Sequence, residues 1–180
     1  MTAAACRGAR TSLPACRLQF SIPHGSSMNR QDDIEACVEG ALQARRFAVL
    51  ATERDGQPHS SLVAITPMGG SRELLFATYR DTRKYRNLVS NSKVSVFVDG
   101  RWTERAGSGA QDGFVLTALG HAHEVASVDR KAACVAHLQR HPDLDAFLGS
   151  PNCAMVRVTV QAYQVVGAID DVKWWRLASS

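Results

Sequence analysis

This 180-residue chain has no apolar run long enough to cross a bilayer as a helix, so no membrane-spanning helix is predicted. Its five cysteines (Cys6, Cys16, Cys37, Cys134 and Cys153) form no C-x-x-C pair and no zinc-like spacing. Their odd number fits a reducing, cytoplasmic location better than a disulfide framework. There is no P-loop, no dinucleotide-binding glycine pattern and no nucleophile elbow. Acid is missing from the first thirty residues, where Arg7, Arg10, Arg17 and Arg30 carry much of the net charge of +4. Beyond them the charge is nearly balanced, which argues against a nucleic-acid-binding surface.

What is present is a chain of one-domain length, 45% hydrophobic and 21% charged, able to bury a real core. Residues 1–27 are rich in Ala, Arg and Ser and show neither helical nor strand period. They are expected to be a disordered tail, either an organelle-targeting segment or the product of a start assigned ahead of Met28. The folded domain is expected over residues 28–180.

Residues 32–46 read as an amphipathic helix, with Ile34, Cys37, Val38, Ala41 and Leu42 on one face and Arg45 and Arg46 closing it. A strand over Phe47 to Thr52 leads to Asp55-Gly56, a hairpin-turn signal. Further strands are predicted over Ser60–Thr66, Leu74–Thr78, Val94–Val98, Phe114–Val125 (interrupted by Gly120) and Met155–Val166. Helices are predicted over Thr82–Val89 and from Ser127 to Gln139, the latter with Ala132, Cys134, Val135 and Leu138 inward. Pro142 opens a short helix that Gly149 ends. Residues 99–113 form a long Gly-rich loop of the kind that tends to be functional or mobile. Hairpins dominate and no βαβ alternation is sustained. The fold class is therefore mainly β (α+β), a six-stranded antiparallel barrel decorated with helices.

The richest local feature is Thr78-Tyr79-Arg80-Asp81-Thr82-Arg83-Lys84, where a strand runs through a turn into a helix that opens on cations. Cations at a helix N-terminus meet the positive end of the macrodipole, a placement costing about 0.3–1 kcal/mol each. An anion held there by backbone N–H groups, Thr78, Thr82, Arg83 and Lys84 would offset that cost. The competing reading is a surface helix capped by Asp81 or Thr82, with both cations in solvent.

The order of elements, with Arg46-Phe47-Ala48-Val49-Leu50-Ala51-Thr52, Asp55-Gly56-Gln57-Pro58-His59-Ser60-Ser61 and Phe76-Ala77-Thr78 followed by Thr82-Arg83-Lys84, resembles the FMN-binding split barrels of the pyridoxamine 5′-phosphate oxidase family. Asn87-Leu88 and Asn91 leading into Val94-Ser95-Val96 continue the likeness, which runs from about Ile34 to Trp175. The resemblance implies a split barrel and a homodimer holding FMN at the subunit interface. It places Ser61, Leu62, Val63 and Thr66 along the flavin and Ala77 and Thr78 near the ribityl phosphate. Arg83 and Lys84 become the phosphate clamp. Relatives that oxidise pyridoxamine phosphate have Arg where this chain has Ser61 and Lys where it has Thr66, so vitamin B6 oxidation is not expected.

Trp102, Trp174 and Trp175 have rings that suit either stacking on a flavin or packing in a core, and Trp174 is taken as a cofactor contact. His121 and His123 alternate on one strand face beside Glu124, with His137 and His141 downstream, but no third ligand stands at convincing spacing and no metal site is predicted. The expected function is an oxidoreductase passing hydride or electrons through FMN, with NAD(P)H or a small redox substrate as partner and no nucleic acid or membrane involved. The alternative is a haem-handling or flavin- or deazaflavin-binding module without turnover. A chain starting at Met28 is expected to keep its melting temperature and its bound cofactor; a clear fall in melting temperature on truncation would show that the tail packs.

Overall fold

The computed structural model describes residues 30–100, 114–167 and 171–178, with side chains described from Asp33 onward. Eight strands and four α-helices follow in the order α1 (Arg30–Ala44), β1 (Phe47–Arg54), β2 (Gln57–Ala64), β3 (Thr66–Met68), β4 (Glu73–Tyr79), α2 (Arg83–Ser90), β5 (Lys93–Asp99), β6 (Val115–Glu124), α3 (Ser127–Arg140), α4 (Asp145–Leu148), β7 (Cys153–Val166) and β8 (Val172–Arg176). The tail 1–27, Trp102 and nearly all of the Gly-rich loop lie outside the described residues. Among those residues no helix is long and apolar enough to cross a membrane.

All strand pairs are antiparallel, in the order β2-β1-β5-β6-β7-β4-β3, with β8 added to β7. The two ends of this order, β2 and β3, are joined only by Ile65, so the sheet curls back on itself as a split barrel. Two strands go beyond the six expected. The run expected over Ser60–Thr66 divides at Ile65: its N–H bonds Arg46 O at 2.9 Å, one further rung in the β1 register, and from Thr66 onward the chain pairs with β4 instead. Pro67, lacking an N–H, is tolerated because β3 is an edge strand. The second addition is β8, where Trp175 is buried and stacks on Tyr163 with centroids 5.5 Å apart.

The Asp55-Gly56 turn is as expected, with positive φ at both residues and Arg54 facing Gln57. Gly120 marks a register shift, after which Gln161 is skipped and its carbonyl accepts Leu177 N–H at 2.9 Å.

One hydrophobic cluster fills the barrel, with Val38 and Leu42 of α1 among Leu50, Phe76, Val96, Leu116, Val158 and Tyr163. A second lies where α3 and α4 cover the outer face of β4 and β7, around Leu75, Ala133, Leu148, Cys153 and Met155. This double cover explains the unbroken apolar runs Leu74-Leu75-Phe76 and Cys153-Ala154-Met155-Val156, all buried. The inward face of α3 differs from expectation. Ala133 and His137 are the buried positions, while Ala132 is exposed and Val135 is 49% exposed. Apolar periodicity alone misses this because His137 is polar, yet it finds a buried partner in Thr66. Ala126 holds the cap position of α3, without a side-chain bond.

Gly120→Ala would set a Cβ 2.2 Å from Thr159 O, backbone against backbone. The expected outcome is a loss of about 2–3 kcal/mol or more, read as a lowered denaturation midpoint.

Candidate functional site

The strand-to-helix turn after β4 is built by local hydroxyl chemistry. Thr82 is the N-cap of α2; its Oγ1 accepts Tyr85 N–H at 3.4 Å and donates to Tyr79 O at 2.7 Å. Thr78 Oγ1 lies 2.9 Å from Thr82 Oγ1, and since the Thr82 proton is committed to Tyr79, Thr78 is the donor. The first backbone bond of α2 runs from Arg86 N to Thr82 O at 3.2 Å, which places the Arg83 and Lys84 N–H groups in the unbonded first turn.

No acid stands in that first turn. Arg83 is exposed and Lys84 is half-buried, and burial pushes the Lys84 ammonium below its usual pKa with no carboxylate acting against the shift. The donor set of two free-pointing N–H groups, one guanidinium and one ammonium suits a phosphate dianion.

Polar side chains hold α2 in place. Buried Asn87 donates from Nδ2 to Thr52 Oγ1 of β1 at 3.0 Å, and Thr52 in turn bonds His59 O of β2 at 3.3 Å. Asn91 Nδ2 reaches Glu53 at 2.5 Å, and Leu88 enters the barrel core. On the β6 side, the Glu124 carboxylate receives both Arg80 and the Tyr85 hydroxyl. Burial alone would raise the Glu124 carboxyl, but the bonds from Arg80 and Tyr85 take it below the usual carboxylate range. Arg80 also donates to Pro151 O at 2.9 Å. This network was missed in the sequence, since its members lie 39 and 44 positions from Glu124 with no periodic signal. Beside it, a cavity of about 310 Å³ has Leu88, Ala122 and Val156 among its walls, with Tyr85, His123 and Glu124 supplying polar groups.

The other expected cofactor contacts separate. Ser61 and Val63 share one face of β2 and Leu62 takes the other. Ser61 Oγ is buried with no partner among the described residues, Val63 belongs to the core, and Leu62 is 68% exposed. Thr66 does not open to a ligand, because its hydroxyl lies buried 2.9 Å from His137 Nδ1. Ala77 is half-buried against the second cluster, and Thr78 is buried. Trp174, half exposed, faces Gln164 on β7, whereas Thr78 faces Ala154. Ten residues of strand separate those positions, about 30 Å at the usual rise. Within one chain Trp174 is therefore remote from Arg83 and Lys84. His121 and His123 do share a face, with rings parallel and 6.5 Å apart. Among the described residues no group of three His, Cys, Asp or Glu is placed to hold a metal.

An antiparallel split barrel whose β4–α2 turn gathers cations defines the class. A family model described as pyridoxamine 5′-phosphate oxidase matches residues 34–167, and the chain belongs to that family. No curated protein sequence matches. Among solved structures it is similar to a heme-binding protein from Mycobacterium smegmatis, at 20% identity and TM-score 0.67, covering 79% of this chain and 57% of that one. It is also similar to General Stress Protein 26 from Bacillus anthracis (19% identity, TM-score 0.61, 80% and 98% covered). A third is a FAD-binding protein from Mesorhizobium loti (19% identity, TM-score 0.58, 72% and 89% covered). At these identities the likeness is one of fold.

Proposed function

We propose that this chain is an FMN-binding oxidoreductase that works as a homodimer, with Arg83, Lys84 and the first N–H groups of α2 holding the cofactor phosphate. The observation that carries this reading is the acid-free helix start, where a half-buried ammonium has no carboxylate to balance it. The residues fit the group in a second respect. Ser61, on the strand that the family resemblance lays along the flavin, has a buried hydroxyl with no partner among the described residues. Bound FMN would supply the hydride and electron transfer, taken from NAD(P)H or a small reduced substrate. The chain itself supplies phosphate anchoring and an ordered strand.

The dimer reading rests on the outer face of β1. Its inward residues Ala48 and Leu50 are buried, but the outward ones are apolar too: Phe47 is 54% exposed and Val49 37%. Val49 pairs directly with Leu62, 68% exposed, and with Phe97, 37% exposed. Four large apolar side chains thus lie together on three adjacent strands, the pattern of a covered interface. β4 and β7 show the same two-sided apolar sequence, but there α3 supplies the cover. With Trp174 remote from α2 within one chain, a second copy would have to bring it to the flavin.

A haem-handling module is the rival reading, supported by the heme-binding protein among the structural neighbours and by the parallel His121 and His123 rings. Absorbance of the purified protein separates the two, since flavin and haem bands do not coincide.

Arg83→Ala or Lys84→Ala should each weaken FMN about ten- to a hundred-fold, from roughly 1.5–3 kcal/mol per charge-assisted contact. Riboflavin, which lacks the phosphate, should bind wild type and variants almost equally. Titrating the apoprotein by flavin fluorescence checks this, and equal FMN affinity in all three would place the phosphate elsewhere. Light scattering should give twice the chain mass of 19.5 kDa. Leu62→Glu should give the single mass with unchanged circular dichroism; a wild-type monomer at micromolar concentration would overturn the interface.

A further inference from the structure

The junction between β2 and β3 is held by three bonds on two residues. Ile65 N–H bonds Arg46 O at 2.9 Å, and Ile65 O lies 2.9 Å from His141 Nε2. Thr66 Oγ1 lies 2.9 Å from His137 Nδ1. A carbonyl only accepts, so His141 carries its proton on Nε2. Both rings come from the C-terminal end of α3, are 0% and 2% exposed, and lie 4.7 Å apart. His137 Nε2 is buried with no partner among the described residues. An apolar residue in that place would fill the same space without an unpaired nitrogen, so packing does not account for the imidazole.

The charges around the pair are all of one sign. Arg140, on the same helix, turns its guanidinium to the last carbonyls of α1 at Leu42 (2.7 Å) and to Arg45 O (2.8 Å). Arg46 comes from the α1–β1 connection, and Phe47 packs on His141 at 6.0 Å. No carboxylate acts on either ring among the described residues. Ile65 joins the ladder that ends at Ala64–Phe47 to the one that begins at Thr66–Leu75.

We propose that His137 and His141 are positioning residues for the cofactor: through the Thr66 hydroxyl and the Ile65 carbonyl they fix the end of the strand that lies along the flavin, and they release it when charged. The cofactor part rests on the function proposed above; the holding of the junction does not. Charging either ring sets a third cation beside Arg46 and Arg140 in a site closed to water. A charged His137 also carries two donors where only Thr66 accepts.

Burial, then the neighbouring His141 and Arg140, lowers the His137 pKa from 6.5 to about 4; His141 is lowered as well, chiefly by burial. The closed junction therefore binds fewer protons than the open one. Its stability is intact above the ordinary histidine pKa and is lost as pH falls from there toward 4.

Hydrogen exchange followed by mass spectrometry tests the proposal on the whole chain, corrected for intrinsic rates. At pH 7.5, His137→Leu should speed exchange of residues 62–68 at least tenfold and leave β6 unchanged, and His137→Asn, which keeps a donor near Nδ1, should restore it. In wild type, acidification to pH 5 should raise opening of the same segment about 30-fold through His137 alone, from its two pKa values above, and His137→Asn should cut the rise to the part that His141 carries. FMN and riboflavin affinity should fall together in His137→Leu and recover in His137→Asn, unlike the phosphate-specific loss at Arg83 and Lys84. Faster exchange in every segment would reduce His137 to a structural role, and unchanged exchange at 62–68 would remove the holding role. Should His137→Leu fail to fold, the wild-type pH series decides alone. If wild type binds neither flavin, the cofactor part falls and the exchange result stands or falls by itself.

Discussion

The structure depends on one strand serving three partners. β7 is fourteen residues long and pairs along one edge with β6 from Val156 to Val166. Its other edge is shared, β4 taking Cys153 to Thr159 and β8 taking Ala162 to Val166. A flat sheet could not satisfy this order and also return β3 to β2 through a single residue. The curl is absorbed at the bulge opposite Gly120, where any side chain would strike the neighbouring strand. The split barrel follows from hydrogen-bond accounting on β7 as much as from hydrophobic burial.

That frame decides where charge can gather. β4 ends beside the start of β7, and the chain must turn there into α2. The turn is capped by a hydroxyl rather than an acid, so the first turn of the helix stays cationic, and the Glu124 carboxylate on β6 is taken by Arg80 and Tyr85. Asn87 and Asn91 then lock the helix to β1. The cations are thus carried on an element that cannot easily move away from a ligand, the condition for selective anion binding.

The members of the expected cofactor set met different fates for the same reason. Arg83 and Lys84 stand where local sequence puts them, on one helical turn. Ser61, Leu62, Val63 and Thr66 are neighbours in sequence, but the strand period and the break at Ile65 send them to different surroundings. Thr66 in particular is claimed by His137, 71 positions away, a pairing with no periodic signature. Trp174 sits at the other end of β7 from the cations.

By itself the sequence determined most of the strands, the Asp55-Gly56 hairpin, the run of α2 and its cationic start, because period, turn residues and end charges act over a few positions of chain. Only the tertiary structure decided that β4 and β7 are covered by this chain's own helices while, among the described residues, the outer face of β1 is not. It alone added β8, divided β2 from β3, turned α3 onto its His137 face and joined Glu124 to Arg80 and Tyr85. Those outcomes depend on contacts between residues far apart in the chain, whose partners are chosen by packing and by the need to bond every buried polar group, and no local pattern encodes that choice.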